Sequence, residues 1–171
     1  MKKINFKKNV SIAFIAYISI GVMSCNNSKE QQADTKTSDA GLIFPKGKKV
    51  ANNNFAGTVW LNNLVLDDSI NKNAVGSVTF EPGARTKWHK HPAGQIILAI
   101  DGIGYYQEIG KEKIIIRKGD VVRCPPDTPH WHGASPETKF VQIAITGREK
   151  GETIWLEQVN EEQYNSKVAK Y

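Results

Sequence analysis

The chain is 171 residues long, 40% hydrophobic and 23% charged, with a formal net charge of +6 and two cysteines. Lys2, Lys3, Lys7 and Lys8, with no acid among residues 1–24, supply +4 of that charge. The +2 left for the rest is too small a basic excess to argue for nucleic-acid binding.

The amino-terminal stretch reads as an address. Four lysines precede an apolar run over 10–23 that is short for a membrane span, and Val22-Met23-Ser24-Cys25 closes it with small residues before a cysteine. This ending resembles a bacterial lipoprotein signal. The resemblance implies that residues 1–24 are a signal peptide and that a lipidated Cys25 attaches the protein to a membrane on the extracytoplasmic side of the cell envelope. Cys124 then has no cysteine to pair with, and no disulfide framework is available. Residues 25–40 are polar and lack large apolar side chains, so they read as a disordered tether. Residues 41–171 remain as one domain, long enough to bury a core without cross-links.

Within this domain, short segments rich in Val, Ile, Thr, Phe and Trp alternate with Gly, Pro, Asn and Asp. Strands are predicted over 55–61, 75–80, 86–91, 95–100, 104–109, 113–117, 120–124, 130–133 and 139–146. This is the pattern of an all-β sandwich or barrel. Glu81-Pro-Gly and Lys118-Gly-Asp punctuate strand ends, and Asp101-Gly-Ile-Gly predicts a tight hairpin. Asn160-Glu-Glu-Gln-Tyr predicts the start of a short carboxy-terminal helix.

All four histidines lie in two blocks, His89 and His91 in one and His130 and His132 in the other. Histidines two apart on a strand project to one face, so His89 and His91 can point at a single ion. Gln95 follows a Pro-Ala-Gly turn at the start of an apolar run, where a second strand returns it beside them. His130 arrives from a third strand behind a stiff Pro125-Pro-Asp-Thr-Pro connector whose prolines reduce the entropy of holding it in place. These four residues form the expected metal site; a barrel whose histidines are merely packed, without metal, is the alternative. His132 shares the inward face with His130. It is placed either as a general base or as a hydrogen-bonding group that orients a ligand.

The spacing then becomes specific. Gly83, five residues, His89, one, His91, three, Gln95, six, Gly102 resembles the first motif of the cupin family, with Gln95 where most members carry Glu. Gly119, five residues, Pro125, one, Asp127, two, His130 resembles the second, with Asp127 in place of the usual Gly and Ala134 in place of the usual Asn. The resemblance implies a jelly-roll β-barrel with a divalent transition metal inside, bound by His89, His91, Gln95 and His130. Imidazole and amide donors suit Mn, Fe, Co, Ni or Zn, and four ligands leave positions open for a substrate.

A longer shared string, residues 76–95 with Lys118-Gly-Asp-Val-Val, His130-Trp-His-Gly-Ala, Trp155 and Glu161-Glu-Gln-Tyr, is similar to the small bacterial cupins that include manganese-dependent (R)-selective hydroxynitrile lyases. That similarity implies manganese, a lyase acting on a small hydroxy or carbonyl compound, and a proton-moving role for His132. Arg85 is expected to be a structural ion-pair partner, Trp88 to face away from the metal, and Val78, Gln142 and Thr146 to line the pocket. Two rival functions stay open: an oxygenase or isomerase of the same fold, and a ligand-binding cupin lipoprotein without catalysis. Cys124 reads as a small buried hydrophobe. Pairing into a homodimer through a strand edge covered by Trp60, Trp155 or the segment before Phe55 is expected only by analogy.

Overall fold

The computed structural model describes residues 41–169, so the expected signal peptide, the tether and Cys25 lie outside the described residues. Within them run strands β1 (Lys48–Lys49), β2 (Phe55–Ala56), β3 (Val59–Val65), β4 (Asn73–Phe80), β5 (Arg85–Thr86) and β6 (His89–Lys90). Next come β7 (Gln95–Glu108), β8 (Ile114–Arg117), β9 (Val121–Cys124), β10 (His130–Ala134), β11 (Phe140–Gly147), β12 (Ile154–Trp155) and one helix, α1 (Glu161–Tyr164). The ladders pair antiparallel in the order β1-β3-β4-β11-β7-β10-β5-β2, and the sheet curls into a half-barrel. Phe80, Ile97, Ile116, Phe140 and Val59 fill its core. A smaller cluster of Trp88, Trp131, Val159 and Tyr164 sits under α1.

One expectation is overturned. Asp101-Gly-Ile-Gly is not a hairpin; the chain runs straight through it as the middle of the 14-residue β7. Val141 pairs with Asp101 and Gln142 with Ala99, which leaves Ile100 as the extra residue of a β-bulge. The bulge switches the inward parity of the strand. Gln95, Ile97 and Ala99 are buried before it, Gly104 and Tyr106 after it. β7 therefore pairs with β9 and β11 over its first half and with β8 and β10 over its second, serving both halves of the barrel.

Gly102 makes the bend. Its φ is +77°, and a Cβ there would stand 1.9 Å from the Lys139 carbonyl oxygen. Gly102→Ala is expected to lower stability by about 2 kcal/mol or more, because left-handed strain and a backbone clash add. Chemical denaturation measures this; an unchanged midpoint would refute the bend's dependence on glycine.

Three smaller differences follow from tertiary pairing. The segment predicted over 86–91 splits into β5 and β6 around Lys87 and Trp88, whose amides bond to the carbonyls of Asn54 and Glu157. The strand predicted over 55–61 divides at Gly57, whose φ is +76°. The segment before Phe55 forms β1 against the outer edge of β3. The helix begins at Asn160 as expected: the Asn160 side chain accepts from the Gln163 amide, and the Gln163 side chain accepts from the Asn160 amide. It ends after one turn, where the Lys113 ammonium takes the Tyr164 carbonyl. Arg85 is the expected ion-pair partner, 2.6 Å from Glu161 and stacked on the Tyr164 ring. Trp88 turns away from the histidines into the cluster under α1.

Candidate metal centre

Two tight turns deliver the histidines. Pro92-Ala93-Gly94 reverses the chain between β6 and β7, with the Gly94 amide donating to the His91 carbonyl at 3.0 Å and Gly94 in the left-handed region. The same carbonyl accepts from Asp127 at 2.9 Å, so the second histidine block is tied to the first before β10 begins. Asp127 has φ +57°, which is why cupins usually place Gly at this position; Asp is one of the few side chains that tolerate it. His130 then enters β10 directly opposite His89.

All five expected site residues converge. His89, His91, Gln95, His130 and His132 are each less than 8% exposed. The His89 ring centroid lies 4.4 Å from His130, 5.0 Å from His91 and 5.2 Å from His132. Ring nitrogens of His89, His130 and His132 come within 4.8 Å of one another, a separation at which they can share one ion. His91 stands beside this trio, its ring 5.5 Å from that of His130.

Hydrogen bonding sets which nitrogens are free. His89 Nδ1 lies 2.9 Å from the Lys87 carbonyl and His130 Nδ1 lies 2.8 Å from the Thr128 carbonyl. A carbonyl only accepts, so each Nδ1 carries the proton and each Nε2 keeps its lone pair. His91 Nδ1 meets the Thr153 hydroxyl at 3.1 Å, and Arg148 donates to the same hydroxyl at 3.0 Å. Gln95 Nε2 donates to Thr146 at 2.8 Å, and its Oε1 has a 4.0 Å contact from the Cys124 thiol. Buried His91 Nε2, His130 Nε2 and both nitrogens of His132 have no protein partner.

Burial also holds the imidazoles neutral. It pushes His89 well below its ordinary value, with the neighbouring imidazoles adding to the effect against the Lys87 carbonyl. It lowers His91 to about 3, with His130 and Arg148 adding to the effect. His130 is lowered less, because the Thr128 carbonyl and Glu108 oppose desolvation. His132 is well below its ordinary value for the same leading reason. An orphaned, unprotonated Nε2 in a dry interior, on a ring held by a hydrogen bond at its far side as His130 is, is what a transition-metal site requires. A divalent ion fits these residues.

A cavity of about 150 Å³ opens beside the histidines. His89, His91, Gln95 and His132 line it together with the expected Val78, Gln142 and Thr146. Phe55 and Trp155 also line it, packed edge to face at 5.6 Å, with the Trp155 ring 4.9 Å from His89. No Asp or Glu is among its lining residues. Sequence reasoning missed Arg148 and Thr153: they come from the segment leading to β12, which is placed only by pairing with β6. Cys124 is buried as expected, its thiol pushed up to about 12 by desolvation.

Comparisons with known proteins agree with this geometry. The cupin domain model matches residues 76–145. An (R)-mandelonitrile lyase of Granulicella tundricola is 44% identical over 111 residues, 64% of this chain and 85% of that protein. A cupin-like protein of Thermotoga maritima of known structure is 47% identical, covering 71% of this chain and 93% of that one, with a TM-score of 0.70. An acireductone dioxygenase of Alcanivorax borkumensis is 30% identical over 66 residues, 37% of this chain and 36% of that protein. A curled β-sheet, two histidine motifs in register and the Granulicella and Thermotoga relatives matched along most of their length make one statement: the chain belongs to the cupin family, as a small bacterial cupin.

Proposed function

We propose that this cupin is a metal-dependent lyase that cleaves and forms the bond between a cyanide carbon and the carbonyl carbon of a small aldehyde. The observation that carries the reading is 44% identity to an (R)-mandelonitrile lyase across 85% of that protein. His89, His91, Gln95 and His130 would hold a divalent ion, manganese first among the candidates, that supplies Lewis acidity toward the substrate oxygen.

The chain's own residues do the rest. Neutral His132 accepts the hydroxyl proton of the cyanohydrin; the oxygen lone pair becomes the carbonyl bond as the carbon–cyanide bond breaks. The proton then passes from His132 to the departing cyanide, giving aldehyde and hydrogen cyanide. A cavity wall without carboxylates favours an anionic leaving group. Phe55, Phe80, Val78 and Trp155 offer an apolar surface to the organic group. Cavities of about this volume take up a benzene ring.

The test is release of benzaldehyde from mandelonitrile by purified, manganese-loaded protein. Turnover that disappears with chelator supports the reading. Inertness toward cyanohydrins combined with substrate-dependent oxygen uptake would replace it with an oxygenase, as the shorter-matching Alcanivorax relative, an acireductone dioxygenase, is named.

A further inference from the structure

Among the described residues, Gln142 and His132 are the buried side chains with both polar atoms unpartnered. Gln142 is wholly buried, and neither its Nε2 nor its Oε1 has a protein partner. Its position explains this: on β11 it lies opposite Val78 of β4 on one side and Ala99 of β7 on the other, neither of which offers a side-chain donor or acceptor. The next inward residue, Ala144, is no better. Gln142 nevertheless lines the cavity that His132, Gln95 and Thr146 share. An amide enclosed by apolar neighbours is destabilising unless its hydrogen bonds are made, and an isosteric apolar side chain would remove that penalty. Gln95, by contrast, is anchored through Thr146 at 2.8 Å, so the cavity holds one fixed amide and one free one.

We propose that Gln142 is a substrate-binding residue that reads a polar substituent of the bound molecule. Its Nε2 donates to an acceptor of that substituent, while the hydroxyl proton of a cyanohydrin stays with His132. The ligand class is a small, otherwise apolar molecule that carries an acceptor at or beside a hydroxyl-bearing carbon, such as an α-hydroxy nitrile or α-hydroxy carbonyl compound. The inference deepens the lyase reading and rests on it for the identity of the reacting group, though not for the binding itself.

The experiment compares benzyl alcohol with toluene, similar in size and differing in one hydroxyl. Binding of each to the chelator-treated full chain is measured by calorimetry, for wild type, Gln142→Met and Gln142→Asn. Wild type is expected to prefer the alcohol by about tenfold or more, in line with one hydrogen bond made in a dry site. Gln142→Met is expected to erase that preference, keep toluene binding, and raise the thermal midpoint by roughly 3 °C or more. Gln142→Asn, an amide one methylene shorter, is expected to fold and retain only part of the preference.

An unchanged preference in Gln142→Met overturns the assignment, as does a wild type that binds neither compound or shows no preference. A fall in the midpoint of Gln142→Met with the preference intact makes the amide purely structural. Failure of the lyase reading is separate: it would show as absent mandelonitrile turnover while the alcohol-over-toluene preference persists.

Discussion

Replacing His132 by Phe is expected to lower cyanohydrin turnover on the order of 10²–10⁴-fold, the range typical of losing a positioned general base, while leaving the fold and the bound-metal content unchanged. Phe is the informative replacement because the His132 ring already packs edge-on to Phe80 at 5.7 Å, an environment that accepts an aromatic ring. Both ring nitrogens of His132 lack a protein partner, so neither is committed to holding a neighbour in place. Burial keeps the imidazole well below its ordinary value, with the charges of neighbouring imidazoles adding to it. A base works when unprotonated, and a lowered value means protonation only at more acidic pH. The acid limb of the pH–rate profile in wild type should therefore lie below pH ~6.5, where an unperturbed histidine would titrate. Metal content separates this role from ligation. Because His132 can share an ion with His89 and His130, loss of metal in His132→Phe would make it a ligand and remove it as the base.

The site was largely legible because its determinants are local. The period of two that aligns His89 with His91, the Pro-Ala-Gly turn before Gln95, and the proline-rich connector before His130 all act over a few residues. The structure keeps each of them, although β6 itself is only two residues long. Asp127 in a glycine position was visible as a departure from the motif, and its φ of +57° gives the reason. The bulge at Ile100 and the bend at Gly102 were not legible, since a hairpin and such a bend make the same local demand for a glycine at positive φ. Pairing decides between them: β11 holds the chain on one side of Gly102 and β10 on the other, so it bends without reversing. Arg148 and Thr153, on the segment leading to β12, were hidden for a related reason. β12 is two residues long, exposed, and without periodicity, and it reaches the site only by pairing with β6. Short-range pattern finds ligands on regular strands and misses the groups that long-range pairing brings behind them.

His130→Ala is expected to cut metal affinity by more than ~10²-fold and to take turnover below detection. His130 is wholly buried behind the cavity, with its Nδ1 proton given to Thr128 and its Nε2 unpartnered, so its lone pair serves nothing in the protein except an ion. Elemental analysis of wild type and variant checks this directly. Equal metal in both would refute the site without reference to any substrate. Thr153→Ala should act more mildly, about 10-fold on affinity, because it only frees the far side of the His91 ring. Removing the ion has a second consequence with a definite sign. His89, His91 and His132 are depressed in the folded state relative to the value of ~6.5 expected when unfolded, so below that pH the unfolded chain binds more protons. Stability of the metal-free protein should therefore be full above pH ~6.5 and fall as the solution is acidified, by up to about 1.4 kcal/mol per pH unit for each histidine that stays neutral when folded. A bound divalent ion uses the same lone pairs that protons would take, so loading the site should move the acid transition to lower pH. Denaturant midpoints between pH 7 and pH 5, with and without chelator, measure both effects. A metal-free protein whose stability is flat across that interval would show that these imidazoles are not held neutral by the fold.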